Sequence, residues 1–138
     1  MPWRLAVRTL DTNVVVRLLI GDDPQQTPIA EQAFLAAIAS GGVYMPDVVL
    51  AEVAWVLRGY DLERATRYQL LERLVRTRGV VVDDIDAVID ALEQFRLGGD
   101  LADQLILARA AATCALPVLS FDRRFSGCEG VELLGGQG

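Results

Sequence analysis

Short apolar runs alternate with longer stretches of helical periodicity along the whole chain, and that alternation restricts the fold more than any other feature. The short runs are Leu5 to Leu10, Val43 to Met45, Val80 to Val82, Pro117 to Phe121 and Val131 to Leu134. They are rich in β-branched and apolar residues, too much so for strands with one wet face. They therefore read as strands of a mainly parallel sheet covered by helices on both sides, the last of them an edge strand. Helical patterns fill the gaps: Val14 to Ile20, then residues 28–40, 47–58, 61–77, 84–97 and 101–115. In residues 28–40, Ile29, Ala33, Ala36, Ala37 and Ser40 recur at helical spacing, and Gly41-Gly42 stops the helix. Pro46 blocks continuation from upstream of the next helix and Asp47 can cap it. Leu70, Leu71, Leu74 and Val75 form the inward face of residues 61–77, and Gly79 ends that helix.

At 138 residues, 52% hydrophobic and 23% charged, the chain has the size and apolar content of one domain with its own core. The expected unit is residues 1–134, with the glycine-rich tail 135–138 frayed. No apolar run approaches the roughly 18 residues of a membrane span. Met1-Pro2-Trp3-Arg4 opens no signal-peptide pattern. Two cysteines, Cys114 and Cys128, make no disulfide framework, and a cytoplasmic location fits all of this.

The chain contains no histidine, and all 13 of its cationic side chains are arginine. That removes the usual general base, the phosphate-loop lysine, Schiff-base chemistry and any Ser-His-Asp triad. Two cysteines cannot make a four-cysteine zinc site. Acid and base chemistry is left to carboxylates, tyrosine, cysteine, bound water or a metal ion, and the 19 acidic residues are the rich resource. A net charge of −6 is opposite to the usual footprint of a nucleic-acid binder. RNA binding would have to rest on local arginines and on metal ions that invert the sign of a site.

Four acids stand out by their placement. Asp11 ends the first strand and opens a helix, where it can be a cap or a ligand. Glu52 interrupts the apolar run Val48 to Leu57, so it lies on a wet face or has a partner. Asp100 and Asp103 fall in the first turn of one helix; Asp100 reads as its cap, and Asp103 has apolar flanks. Asp122 follows the fourth strand directly, as a ligand or as a solvated acid beside Arg123 and Arg124. Carboxylates gathered in one place repel unless a cation intervenes or one takes a proton. Such a group suits metal-assisted hydrolysis of a phosphodiester, a mechanism that needs neither histidine nor lysine.

These segments resemble the motifs of PIN-domain proteins, especially the VapC-like toxins of bacterial toxin–antitoxin pairs. Asp11-Thr12-Asn13 and the Val14 to Leu19 run resemble the first motif, Pro46 to Leu57 the second, Gly99 to Ile106 the third and Leu119 to Phe125 the fourth. The four occur in the family's order over residues 7–126. The resemblance implies a three-layer α/β/α sandwich with a mainly parallel central sheet. It implies an endoribonuclease dependent on Mg²⁺ or Mn²⁺, a homodimer, and a cognate antitoxin that blocks the site. By motif position, Asp11, Glu52, Asp103 and Asp122 carry over as the catalytic and metal-binding quartet, with Thr12, Asn13 and Ser120 as hydrogen-bonding support. Gln104 stands where alanine is commoner, and Ser120 where threonine is.

Residues 58–78 hold Arg58, Arg64, Arg67, Arg73, Arg76 and Arg78. They read either as a solvated face laced with Asp61, Glu63 and Glu72, or as a track for RNA phosphates, for which the arginine fork is suited. Arg64 and Arg67 are its candidate members. Arg123 and Arg124 can grip substrate phosphate or pair with the acids. Two rival functions differ in class. An aspartyl-phosphate phosphatase is disfavoured because Asn13 stands two residues after Asp11 and no lysine is present. A non-catalytic module that holds a metal or a partner would keep the acids without turnover.

Overall fold

The computed structural model describes residues 7–135, so the start of the expected first strand and the tail beyond Gly135 lie outside the described residues. Among the described residues, five short strands and six helices follow in order. They are β1 (Arg8–Thr9), α1 (Thr12–Ile20), α2 (Gln26–Ser40), β2 (Val43–Tyr44), α3 (Asp47–Leu57), α4 (Arg64–Arg76), β3 (Val80–Val81), α5 (Ile85–Arg96), α6 (Leu101–Ala112), β4 (Val118–Ser120) and β5 (Val131–Leu133). A 3₁₀ turn, Phe125–Gly127, links the last two strands. Strands β1, β2 and β3 pair in that order, all parallel, with Arg8 opposite Val43 and Val43 opposite Val80. Parallel neighbours need long crossovers, and a helix pair supplies each one. The α/β architecture with parallel strands is thus the one that the alternation predicts. No helix among the described residues is long and apolar enough to cross a membrane.

The ladders form two groups, because β4 pairs in parallel with β5 and not with β1. This corrects the expectation of a buried strand at Pro117 to Phe121. Leu119 is 57% exposed and Phe121 79% exposed, whereas Val43 in β2 is fully covered. The difference follows from the packing: β2 lies between two strands beneath helices, while β4 has one strand neighbour.

One apolar cluster joins the layers, with Val15, Met45, Leu50, Val53, Leu57, Leu71, Val88 and Leu92 almost wholly buried. Two helix faces differ from the expected ones. In α2 the buried side chains are Thr27, Ala30 and Ala37, and Ile29 points to solvent. Asp23 accepts the N–H groups of Gln25 and Gln26 at 2.9 and 2.7 Å and so serves the start of α2. In α3 the cap residue is Pro46 rather than Asp47. The Asp47 carboxylate instead receives a forked pair of bonds from Arg109 of α6, at 2.6 and 3.2 Å. Two-point pairing of this kind fixes orientation as well as distance. It anchors α6, the helix that carries Asp103, against α3.

Candidate functional site

A cleft of about 430 Å³ opens between α3, α4, the α5–α6 turn and the segment after β4. Its lining holds an acidic group, Asp100, Asp103 and Asp122, termed the acidic wall, and a basic group, Arg58, Arg64 and Arg67, termed the basic wall, together with Arg124.

The acidic wall is built from helix starts. Asp100 caps α6 by accepting the Asp103 N–H at 2.9 Å, the role that its sequence position suggests. Asp103 is therefore held in the first turn of α6, half-buried beside Leu101 and Leu105. Burial pushes the Asp103 carboxyl above its ordinary range, and the charges of Asp100 and Asp122 add to the rise. Asp122 accepts the Phe125 N–H at 3.0 Å, and its own N–H donates to the Ser120 hydroxyl at 3.0 Å. Ser120 thus supports the loop of the fourth acid directly. Among the described residues no arginine forms a salt bridge with Asp100, Asp103 or Asp122.

The other two acids stand apart from this cleft. Asp11 is exposed and caps α1, with its Oδ1 accepting the Thr12 N–H at 2.8 Å. Thr12 is buried and Asn13 exposed. Glu52 lies on the wet face of α3. Neither Asp11 nor Glu52 lines the cleft. Among the described residues no three acidic side chains come together closely enough to hold a metal ion. β1 and β4 share no ladder, so strand pairing does not join the ends that carry Asp11 and Asp122.

The basic wall includes a clasp that sequence reasoning missed. Arg64 Nη1 donates to the carbonyls of Phe95 and Gly99, at 2.8 and 2.9 Å, and its guanidinium lies 4.8 Å from the Phe95 ring centre. Arg64 therefore ties α4 to the turn that launches α6. Arg67 stacks on the same ring at 5.7 Å, and its buried Nε has no hydrogen-bond partner. Desolvation holds the Arg67 guanidinium below its ordinary pKa, and the charges of Arg64 and Arg58 lower it further. Arg58 lies over the Trp55 ring at 4.6 Å, and Trp55 itself is 66% exposed. Arg124 runs across the bare backbone of Gly98, where a Cβ would meet Arg124 Nη2 at 2.5 Å. Gly98 also has φ +113°, which disfavours any side chain. Arg123 is exposed on the same loop. Trp55 and Arg58 were not singled out as site residues from the sequence, although their spacing of three in a helix places them on one face.

An all-oxygen donor set suits a hard dication such as Mg²⁺ or Mn²⁺, which commonly needs only one or two protein carboxylates beside water and substrate phosphate. Asp103 and Asp122 meet that requirement, sharing a neighbourhood with uncompensated negative charge. The PIN domain family model matches residues 8–129 of the chain. Neither the comparison with curated proteins nor that with solved structures finds a match.

Proposed function

The chain belongs to the PIN-domain family, a family of nucleases in general, and on that premise we propose that it is a metal-dependent endoribonuclease. The observation that carries the reading is the state of Asp103. It is a carboxylate in the first turn of α6 whose pKa is raised first by burial and then by the charges of Asp100 and Asp122, and no arginine joins it by a salt bridge among the described residues. A site of that kind is unfavourable by itself and favourable once a cation or a phosphate-bound cation arrives.

Asp103 and Asp122 would hold the ion; motif position alone adds Asp11 and Glu52, which do not line the cleft in this structure. When bound, Mg²⁺ or Mn²⁺ supplies Lewis-acid charge at the scissile phosphate and lowers the pKa of water. The chain's own residues do the rest. Asp100 fixes the turn on which Asp103 stands, Ser120 fixes the backbone of Asp122, and Thr12 and Asn13 support the Asp11 corner. Any carboxylate left unligated can take the proton from attacking water, the role that histidine fills elsewhere.

The resemblance of the four motifs to those of VapC-like toxins supports a toxin of a toxin–antitoxin pair, working as a homodimer and silenced by its cognate antitoxin. A basic side chain of that partner could neutralise Asp103 and its neighbours in the manner of a cation. Residence apart from Asp103 gives Asp11 and Glu52 a second reading, in which the chain binds a partner without turnover.

Cleavage of a labelled single-stranded RNA in Mg²⁺ or Mn²⁺ separates the two. The nuclease reading expects cutting that chelation abolishes and that both Asp103→Asn and Asp11→Asn suppress. Cutting that persists in both variants would sink it, and no cutting by the unaltered chain with either ion would favour the binding module.

A further inference from the structure

The basic wall of the cleft has no role in the acid chemistry, yet its construction is specific. Three arginines converge from two helices: Arg58 from the end of α3, and Arg64 and Arg67 from the start of α4. None of them forms a salt bridge with a carboxylate among the described residues, in a chain whose net charge is −6. Acidic side chains outnumber arginines, so the lack of a partner here is not for want of acids. Arg64 spends its donors on two backbone carbonyls. Arg67 does not: its Nε is buried beside Phe95 with no acceptor. One orphaned N–H on a half-buried guanidinium is costly, and an anion engaging the rest of the group offsets that cost.

Trp55 adds a different chemistry at the rim. An indole that is 66% exposed, with Arg58 over its ring, presents a flat apolar surface next to a guanidinium. Bases of single-stranded nucleic acid stack on such aromatic and guanidinium planes, and their phosphates seek nearby arginine. A duplex keeps its bases stacked inside and cannot use the platform.

We infer that Trp55, Arg58 and Arg67 form a nucleotide subsite for single-stranded RNA, with one base stacked at Trp55 and the adjoining phosphate held by Arg58 and Arg67. This rests on the nuclease reading only for the choice of RNA. The subsite and Asp103 line the same cleft, so a strand held at one can reach the other. Its occupant is recognised by the sugar–phosphate chain and by any base face, so affinity depends on strand state more than on sequence.

Tryptophan fluorescence tests this directly, in a Trp3→Phe, Asp103→Asn background that leaves Trp55 as the reporter and prevents cleavage. Titration with a single-stranded oligouridylate quenches Trp55, while a duplex of equal length does so far less. Trp55→Ala weakens binding, read by anisotropy of a labelled strand, on the order of tenfold, without changing the salt dependence. Arg67→Gln and Arg58→Gln each weaken binding and each lower the slope of log K against log salt by about 0.7. Arg58 is exposed, so its variant reports even if Arg67→Gln disturbs folding. Saturating strand with no change at Trp55 would overturn the subsite. So would equal response to duplex, or tighter binding of a glutamate-rich peptide, which would assign the wall to an acidic protein partner. Quenching by RNA in a chain whose unaltered form never cuts would leave the subsite standing and remove the nuclease reading. Cutting without any Trp55 response would do the reverse.

Discussion

The two walls of the cleft carry opposite charge but share one condition: each repels itself. Asp103 is destabilised by burial and by Asp100 and Asp122; Arg67 is destabilised by burial and by Arg64 and Arg58. No ion pair among the described residues bridges the gap between them. Elsewhere the same chain pairs its charges readily, as Arg109 does with Asp47 and Arg17 with Asp23. Pairing thus occurs on the scaffold, and among the described residues none of the charged side chains that line the cleft takes part in it. A ligand that brings a cation to one side and a phosphate to the other relieves both, and a phosphodiester with its metal ion has that composition.

The sharpest way to break the comparison is to neutralise one wall at a time. Asp103→Asn is expected to lower RNA cleavage on the order of a hundredfold or more, as loss of a metal-binding group does, with little change in KM. Arg67→Gln is expected to act chiefly through KM. Equal losses of kcat from both walls, in steady-state assays on a short RNA, would erase the distinction between a reacting side and a gripping side.

Stability separates the arginines from one another. Arg64→Ala removes two charge-assisted bonds to the carbonyls that frame the α5–α6 turn, and should cost about 1.5–3 kcal/mol in urea unfolding. Arg58→Gln should change stability by no more than about 0.5 kcal/mol. A comparable loss in both would mean that the basic wall is scaffold throughout. Gly98→Ala should cost about 1–3 kcal/mol from its positive φ, and displaces Arg124 as well.

The smallest expected effect concerns pH. The folded-state pKa of Asp103 is raised, so the native chain binds more protons than the unfolded one between the ordinary carboxylate value and the raised one. Stability contributed by protonated Asp103 therefore falls as pH climbs through that window, and it stays lost above. Asp103→Asn should remove this fall and leave the metal-free protein more stable at neutral pH. Thermal melts of both proteins from acid to neutral pH check it; parallel profiles would contradict the cause assigned to the shift.

Much of this arrangement was legible in the residues, and the illegible part has a common cause. Asp11 and Asp100 could be read as caps because a cap is a local event of a few residues. The strand and helix alternation was equally visible, since periodicity is local too. Partners distant in sequence were not. Asp47 looked like a cap until Arg109, 62 positions away, engaged it. Arg64 reads from its neighbours as part of a solvated face or of an RNA track, and neither reading contains the carbonyls of Phe95 and Gly99 that receive it. The exposure of Leu119 and Phe121 depends on whether β4 finds one strand neighbour or two, which no run of apolar residues encodes. Glu52 illustrates the limit most clearly. Its apolar neighbours leave a wet face and a partnered acid equally open, and the turn of α3 sends it to the wet side with Val48 and Trp55.

The central claim is that carboxylates from separate motifs serve one divalent ion, and calorimetric titration of Mn²⁺ tests it without reference to catalysis. The account predicts saturable binding to the unaltered chain, greatly weakened by Asp103→Asn and Asp122→Asn and measurably weakened by Asp11→Asn and Glu52→Gln. Binding that all four variants leave unchanged would contradict it.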